Sequence, residues 1–328
     1  MLTYETNGRS ALPELRKEIR LIPFVCGAGA QISGTERGPA EIKKHGLQSA
    51  LGSTWRKVAW QEDPEVLYEQ QRAFYKNLPP LGSAERKQFV LENCRHVAEQ
   101  VELAVKSGAM PVTLGGDHSI AAGSIAGFAR AHDAHGRIGV IWIDAHADLH
   151  TMETSPSKTY HGMPLASLLG LGDKDFATIG GENPVLKPEH VVYIGLRSTE
   201  AEEDQRIKEM GIKAFSMEDI GVDETNDVFQ EALDSISKDV DYLILSIDLD
   251  AFDPLDAPAV GSPETGGFNR EEVLQALALL TQKRLPDMVE VVEFNPDLPG
   301  ADKTYALLRD ILSVTLNIPD PFITSSAT

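Results

Sequence analysis

The sequence predicts an α/β fold, with a mainly parallel β-sheet covered by helices on both faces. Two observations favour this fold. Short, continuous apolar runs rich in Val and Ile recur along the chain, as in strands buried on both faces. Stretches with helical periodicity lie between these runs, and this alternation of strand and helix is typical of α/β domains.

Eight apolar runs, each bounded by Gly, Pro or Asp, are the predicted strands. They cover residues 19–26, 55–61, 110–115, 138–144, 191–195, 212–216, 242–248 and 288–293. No internal repeat, low-complexity segment or linker divides the chain. We therefore expect a single domain over residues 1–328.

The clearest helical pattern covers residues 83–106, where apolar residues recur at steps of three or four. Ser83 can cap the start of this helix, and Gly108 follows its end. Weaker helical patterns cover residues 40–51, 200–210, 226–238, 270–282 and 303–316.

Charge and cysteine content exclude several classes of function. The chain carries 50 acidic and 30 basic residues, a net charge of −20, which disfavours nucleic acids and anionic membranes as partners. Its two cysteines, Cys26 and Cys94, exclude a disulfide framework and fit a reducing compartment. The N-terminus lacks the apolar core of a secretory signal, and no apolar run approaches the ~20 residues that span a bilayer. We expect a soluble, cytoplasmic protein.

Three of the predicted strands end in carboxylate and imidazole side chains. These side chains are Asp144, His146 and Asp148 after the fourth run, Asp248 and Asp250 after the seventh, and His118 after the third. Residues two apart in an extended chain share a face, and ligands of open α/β sheets bind beyond the carboxyl ends of the strands. Aspartate also ends strands as a turn former, but that explanation fits three such segments together poorly.

Charge balance predicts two divalent cations at this cluster. Four buried carboxylates need a counter-charge, and none of the three segments contains Lys or Arg. Two divalent ions would balance them, with His118 and His146 as neutral ligands. Oxygen-rich sites with one imidazole per ion and no thiolate favour Mn²⁺. Two ions ~3.5–4 Å apart can activate a shared water, so we expect hydrolysis by metal-bound hydroxide.

The motifs GGDHS (115–119), DAHAD (144–148) and SIDLDAFDP (246–254) resemble those of the ureohydrolase family in order and spacing. That family contains arginases, agmatinases, guanidino-acid hydrolases and formimidoylglutamases. Three further segments, at 161–172, 195–203 and 291–298, are most similar to arginases. The resemblance implies a three-layer α/β/α fold around a central, mainly parallel eight-stranded sheet. It also implies a homo-oligomer, either a trimer or a hexamer.

The resemblance implies a role for each residue of the cluster. The first ion would be bound by His118, Asp144, Asp148 and Asp248, and the second by Asp144, His146, Asp248 and Asp250. His161 would carry a proton to the leaving amine, and Glu293 would face the substrate guanidinium, so the implied catalytic residues are His161, Glu293 and Asp148. A carboxylate pairs well with a planar guanidinium, and histidine titrates near neutral pH. Without the resemblance, His161 is interpreted as a loop histidine and Glu293 as a salt-bridge partner.

The segment expected to bind the amino-acid end of the substrate departs from the arginase pattern. Arginases have asparagine at the position of His150 and Ser-Gly-Asn at the position of Ser157-Lys158-Thr159. Glu200 replaces an aspartate, and Ser262 replaces a threonine. Because these changes preserve polar contacts, the predicted substrate-binding residues are His150, Ser157, Thr159, Glu200, Ser262 and Glu293.

The resemblance therefore favours hydrolysis of L-arginine to L-ornithine and urea with two Mn²⁺ per chain. Two alternatives stay open. One is another guanidino or formimino substrate, such as guanidinobutyrate, formimidoylglutamate or agmatine, the last disfavoured because it lacks a carboxylate. The other is a catalytically silent binding protein, which the intact set of six ligands disfavours.

Overall fold

The computed structural model describes residues 18–52, 57–221, 224–236 and 240–318. Its strands form one sheet in the order β2-β1-β3-β8-β7-β4-β5-β6, and every neighbouring pair is parallel. The strands are β1 Glu18–Pro23, β2 Lys57–Trp60, β3 Met110–Leu114, β4 Ile138–Ile143, β5 Val191–Leu196, β6 Lys213–Ser216, β7 Tyr242–Asp248 and β8 Met288–Val292. The predicted eight-stranded, parallel sheet is confirmed.

Eleven α-helices occur in the described ranges. They are α1 Gly38–Lys44, α2 Leu47–Leu51, α3 Pro64–Lys76, α4 Ala84–Lys106, α5 Ala121–His132, α6 Pro164–Leu168, α7 Lys174–Ala177, α8 Ala201–Met210, α9 Thr225–Ile236, α10 Arg270–Lys283 and α11 Ala301–Thr315. Short 3-10 turns cover Thr35–Arg37, His118–Ile120, Pro188–His190 and Leu249–Ala251. Over these ranges, no helix combines the length and the apolar character needed to cross a membrane.

The helices cover both faces of the sheet and enclose two apolar cores. One core includes α4, α5 and α6, and the other includes α9, α10 and α11. Strand β4 contributes side chains to both cores, because Val140 and Trp142 point into the first core while Ile141 and Ile143 point into the second. This burial on both faces is the physical reason for the continuous apolar runs in the sequence.

Each predicted strand overlaps an observed one, although residues 55–56 and 237–238 of the predicted elements lie outside the described residues. Four helices, α3, α5 and the short α6 and α7, were not predicted. Small residues dominate α5, and Gly123 and Gly127 let it lie against the backbone of α4 at Cys94 and Ala98. Because close backbone packing needs small rather than large apolar residues, the helical period of α5 is weak in the sequence.

The topology places the site. Strands β3, β8, β7 and β4 are adjacent at the centre of the sheet, and they are the strands that precede the acid and imidazole motifs and Glu293. Because all the strands are parallel, their carboxyl ends meet at one edge. The motifs, which are far apart in sequence, are thereby brought together.

Candidate metal centre and substrate cleft

His118 stands at the middle of the first group of predicted ligands. Its Nδ1 atom lies 3.1 Å from Oδ2 of Asp144, 3.0 Å from Oδ2 of Asp148 and 3.2 Å from Oδ2 of Asp248. His118 begins the 3-10 turn after β3, and Asp248 ends β7. Side chains from three strands therefore converge on one point.

A second group forms around His146 and shares Asp144 with the first. The Nδ1 atom of His146 lies 3.1 Å from Oδ2 of Asp250 and 3.6 Å from Oδ1 of Asp144. Both groups, His118–Asp144–Asp248 and Asp144–His146–Asp250, have the composition and spacing of cation sites. The structure thus brings together all six predicted metal ligands.

Three of the four aspartates of this cluster, Asp144, Asp248 and Asp250, have one carboxylate oxygen fixed by a backbone N–H donor. Oδ1 of Asp144 accepts from the backbone of His146 at 2.7 Å, Oδ1 of Asp248 from the backbone of Asp250 at 2.8 Å, and Oδ1 of Asp250 from Ala145 at 3.3 Å. The carboxylates are therefore oriented before any ligand binds.

Unpartnered buried atoms test whether the cluster suits a metal ion. Nδ1 of His118 and Oδ2 of Asp148 are buried and make no hydrogen bond, although they lie 3.0 Å apart. Buried polar atoms are rarely left without a partner in a folded protein. An imidazole lone pair and a carboxylate oxygen facing one point are what a divalent cation coordinates, so the residues present fit the predicted metal.

The pKa values show an excess of negative charge at the cluster. Burial, together with the charges of Asp250 and Asp144, raises the pKa of Asp248 well above its ordinary range. Burial also raises the pKa of Asp250 to about 6. Burial acts to lower the pKa of His118, but the surrounding carboxylates outweigh it and raise that pKa. Without metal, protons therefore replace the missing positive charge, and metal binding must release them.

Trp142 and Arg197 support the cluster from outside. The indole of Trp142 stacks on the His118 ring at 4.4 Å and donates from Nε1 to Oδ2 of Asp144 at 2.9 Å. The Arg197 guanidinium donates to backbone carbonyl oxygens, including those of Asp250 at 2.6 Å and Glu264 at 2.9 Å. Arg197 thus joins the turn that carries Asp250 to the loop around Glu264, and its charge lies beside the acidic cluster.

Asp148 and Glu293 adopt left-handed backbone conformations, with φ of 51° and 67°. Residues other than glycine rarely adopt this conformation, which costs about 1–3 kcal/mol for a residue such as Glu293 and less for an aspartate such as Asp148. Glu293 directly follows strand β8, and Asp148 is the last residue of the motif that follows strand β4. The turn redirects their carboxylates towards the cluster instead of along the strand.

His161 and Glu293 contact each other, as the resemblance implies. Nδ1 of His161 lies 3.1 Å from Oε1 of Glu293, which also accepts from the backbone of His118 at 2.9 Å. Oε2 of Glu293 is buried without a partner. Burial acts to lower the pKa of His161, but the hydrogen bond to Glu293 and nearby carboxylate charges outweigh it and raise this pKa to about 9.

A glycine-rich loop fixes the position of His161. The carbonyl of Gly29 accepts from the backbones of Tyr160 and His161 at 2.8 and 3.2 Å, while its N–H donates to Oδ2 of Asp117 at 2.7 Å. A Cβ atom on Gly29 would lie 2.6 Å from Asp117, so only glycine fits here. The segment at 27–30 lacks the full glycine pattern of a nucleotide-binding loop. It instead holds the segment that carries His161 in place.

The cluster lies in a cleft of about 450 Å³. Five of the six predicted substrate-binding residues line this cleft, namely His150, Ser157, Thr159, Glu200 and Ser262. The sixth, Glu293, is buried behind His161, which lines the cleft and contacts it. Oγ of Ser157 lies 2.6 Å from Oγ1 of Thr159, so these two hydroxyls face the cleft as a pair. Nζ of Lys158 donates to the carbonyl of Met152 at 2.6 Å, and its charge is held there.

His150 already has protein partners. Its Nε2 atom lies 2.9 Å from Oε2 of Glu200 and 3.4 Å from Oε2 of Glu203, and its Nδ1 atom lies 3.1 Å from Oγ1 of Thr154. His150, Glu200 and Glu203 also have the spacing of a cation site. The imidazole of His150, which lies between the two carboxylates, explains this arrangement without a bound cation. A substrate carboxylate would have to compete with Glu200 for His150.

Comparison with known proteins identifies the family. Residues 17–316 match the model of the Arginase family. The chain belongs to the arginase family. Arginase from Bacillus subtilis (strain 168) is 43% identical over 288 residues, covering 88% of this chain and 94% of that protein. Arginase from Bacillus caldovelox is 37% identical over 293 residues, with the same coverage of 88% and 94%.

Solved structures agree with this assignment to the arginase family. The native structure of Bacillus caldovelox arginase has a TM-score of 0.82 at 34% identity, covering 92% of this chain and 99% of that one. Formimidoylglutamase from Bacillus subtilis has a TM-score of 0.72 at 19% identity, covering 95% and 88%, which shows a shared fold alone. The family and the three-layer fold expected from the sequence are therefore confirmed. The chain is 34% identical to the Bacillus caldovelox arginase and 19% identical to the formimidoylglutamase.

Several residues at the site escaped the sequence analysis. Glu203, Arg197, Ser246 and Glu290 contact the cluster or its neighbours but were not predicted to do so. Glu290 had a detectable signal, since it is a lone acid within the apolar strand β8. For Arg197 the signal was weak, because a guanidinium that binds carbonyl oxygens needs no acidic partner in the sequence.

Glu203 provides a test of the electrostatics of the arginase-family cleft. Burial raises its pKa from the ordinary 4.5 to about 8. Between these pH values the folded protein binds more protons than the unfolded chain, so stability falls as the pH rises through this window. We expect Glu203→Gln to remove this loss. The quantity to compare is the free energy of unfolding of the metal-free variant minus that of the metal-free wild type. This difference should increase from pH 4.5 to pH 8.

The control is Glu202→Gln, at an exposed position of the same helix. Its difference from wild type should stay flat over the same pH range. A flat difference for Glu203→Gln as well, measured by chemical denaturation at both pH values, would contradict the raised pKa.

Proposed function

We propose that this protein hydrolyses L-arginine to L-ornithine and urea at the cluster beneath the cleft. The observation that carries the proposal is the pair of acid and imidazole groups that share Asp144, with the unpartnered carboxylate oxygen of Glu293 beside them. The relatedness to bacterial arginases at 37–43% identity over most of the chain supports the same substrate.

Six side chains would hold two divalent cations, with Mn²⁺ the best match to an oxygen-rich donor set that lacks thiolate. One ion would bind at His118 with Asp144, Asp148 and Asp248. The other would bind at His146 with Asp144, Asp248 and Asp250. When bound, such a pair of ions supplies Lewis-acid activation of water for attack on the guanidino carbon.

Glu293 would hold the substrate guanidinium through Oε2. Oε1 already accepts from His118 and His161, whereas Oε2 is buried and unpartnered. A charge-assisted hydrogen bond from a guanidinium N–H would satisfy that atom. It would also fix the guanidino carbon over the cluster, because Glu293 is attached directly to the central strand β8.

His161 would supply the proton that the leaving amine requires. Hydrolysis adds the water oxygen to the guanidino carbon and breaks the bond from that carbon to the ornithine nitrogen, which must gain a proton to leave. Against the effect of burial, the hydrogen bond to Glu293 raises the pKa of His161 and so favours its protonated form, and its side chain lines the cleft. The same contact with Glu293 places this proton next to the guanidinium.

The amino-acid end of the substrate would lie between Glu200 and the hydroxyl pair of Ser157 and Thr159. Glu200 is half-exposed at the mouth of the cleft and suits an ammonium group. The hydroxyls suit a carboxylate, and His150 joins them once Glu200 turns to the substrate. A zwitterionic head would thus replace one internal contact, that of His150 with Glu200, with two contacts to the substrate.

The assembly and location of the protein are part of the same proposal. We expect one catalytic domain per chain and a trimer or a hexamer, as the family resemblance implies. A reducing, cytoplasmic location is supported by Cys26 and Cys94, which are buried free thiols.

Metal content tests the cluster. Purified protein loaded with Mn²⁺ should contain two ions per chain by elemental analysis. Asp144→Ala should lose both ions and nearly all activity, because it removes the shared ligand and leaves the remaining carboxylates uncompensated. Asp219→Ala, in an exposed turn away from the cluster, is the control and should keep both ions. One ion or none in active wild-type protein would rule out the binuclear site.

Substrate preference tests the cleft. L-arginine should exceed agmatine in kcat/KM by ~10⁴-fold or more, because a site built for polar groups rejects an analogue that leaves them unpaired. Ser157→Ala, which removes a hydroxyl assigned to the substrate carboxylate, should lower kcat/KM for L-arginine and leave that for agmatine, which lacks this carboxylate, nearly unchanged. Urea release from both substrates is the measurement. Equal turnover of the two by wild-type protein would refute the assigned head-group contacts.

Proton delivery is tested at His161. His161→Asn should lower kcat by roughly 10²–10⁴-fold, the usual scale for losing a positioned acid or base. Its metal content should stay at the wild-type level, because His161 is not among the predicted ligands. Both quantities are measured on one preparation. Full metal with a near-normal kcat would exclude the proton-transfer role, and loss of metal would instead assign His161 to the metal site.

A further inference from the structure

Glu290 is a carboxylate at the centre of the sheet that the proposed reaction does not use. It lies on β8, its side chain is fully buried, and burial raises its pKa. The strands on either side, β3 and β7, carry the motifs of the cluster. An acid in this position needs hydrogen-bond donors, since an unsatisfied buried carboxylate is very costly.

Three hydroxyl groups supply those donors. Oε2 of Glu290 accepts from Thr113 at 3.0 Å and from Ser124 at 2.5 Å, and Oε1 accepts from Ser246 at 2.9 Å. An ionised carboxylate can only accept, and each hydroxyl has one proton to give. The Ser246 proton is therefore directed to Glu290.

The direction of that proton determines what Ser246 can do on its other side. Oγ of Ser246 also lies 2.9 Å from Nε2 of His118. With its own proton committed to Glu290, Ser246 can only accept from the imidazole. Nε2 of His118 must then carry a proton. In the neutral ring the other nitrogen, Nδ1, is left with a lone pair.

Nδ1 is the nitrogen that faces the carboxylates of Asp144, Asp148 and Asp248 and is buried without a hydrogen bond. The Trp142 ring stacks on His118 and fixes the plane of the imidazole. Stacking does not distinguish the two nitrogens, however. The hydroxyl of Ser246 and the carboxylate of Glu290 determine which nitrogen of His118 is protonated.

We propose that Glu290 is a positioning residue that, through Ser246, holds His118 in the tautomer able to bind the first metal ion. The chain of contacts runs from a buried carboxylate to a hydroxyl, to the imidazole and then to the cluster. Such outer partners fix ligand orientation and raise ligand basicity. The inference rests on the proposed metal-dependent function, and it assigns a role to the acid in the middle of β8.

Binding of Mn²⁺ by the whole protein tests this, with free Mn²⁺ followed by electron paramagnetic resonance. In Ser246→Ala the Nε2 proton of His118 loses its acceptor. We expect the ion at His118 to bind roughly 10–100-fold more weakly, the usual effect of removing such a partner. The ion at His146 should keep its affinity. Glu290→Gln preserves side-chain volume but replaces one acceptor oxygen with a donor, and it should weaken the same ion.

Thr113→Val is the matched control. It removes one hydroxyl from Glu290, at similar volume, without touching Ser246. Its two Mn²⁺ affinities should stay near wild type, even if thermal unfolding of the metal-free protein shows a loss of stability. A general structural defect would instead weaken both ions and affect all three variants alike.

The outcomes separate this inference from the proposed function. Two tightly bound ions in wild type and unchanged affinities in both Ser246→Ala and Glu290→Gln would overturn the role of Glu290 alone. Equal weakening of both ions would overturn it too. A wild-type protein that binds no Mn²⁺ would overturn the proposed function, and the role of Glu290 with it.

Discussion

Repulsion among buried carboxylates at the carboxyl edge of the sheet is the constraint on which the rest of the site depends. Asp144, Asp248 and Asp250 are almost fully buried, and each is fixed by a hydrogen bond from a nearby N–H group. The fold thus holds like charges together at a cost in free energy. That cost is offset by positive charge, supplied by protons on the two histidines or by bound cations. The geometry favours cations, because two atoms that face the centre, Nδ1 of His118 and Oδ2 of Asp148, are left without hydrogen bonds.

The sequence predicted the fold and the convergence of the cluster because both depend on short-range patterns. Strands buried on both faces leave continuous apolar runs. Strand β4 ends at Ile143, however, so Asp144, His146 and Asp148 converge through the bend that follows it and not on an extended strand. The parallel order of β3, β8, β7 and β4 then brings the motifs together. Helix α5 escaped because its close packing on α4 uses glycine and alanine, which leave little periodic signal.

Contacts between distant side chains could not be predicted in this way. The pairing of His150 with Glu200 joins residues 50 positions apart, and the Ser246–Glu290 bond crosses two strands. Neither is encoded in a local pattern, because each depends on the register and packing of separate elements. The same limit applies to substrate choice. A formimidoylglutamase shares the fold at 19% identity, so the backbone alone does not specify which amidine is bound.

The left-handed backbone of Asp148 and Glu293 has an evolutionary consequence. Glycine adopts this conformation without strain, so a glycine would relieve a local cost of about 1–3 kcal/mol at Glu293 and a smaller cost at Asp148. The more stable chain would lack a carboxylate that the cluster or the guanidinium requires. Selection for stability and selection for activity therefore act in opposite directions at these two positions. With an acid at each of these two positions, the fold has less than its attainable stability in exchange for chemistry.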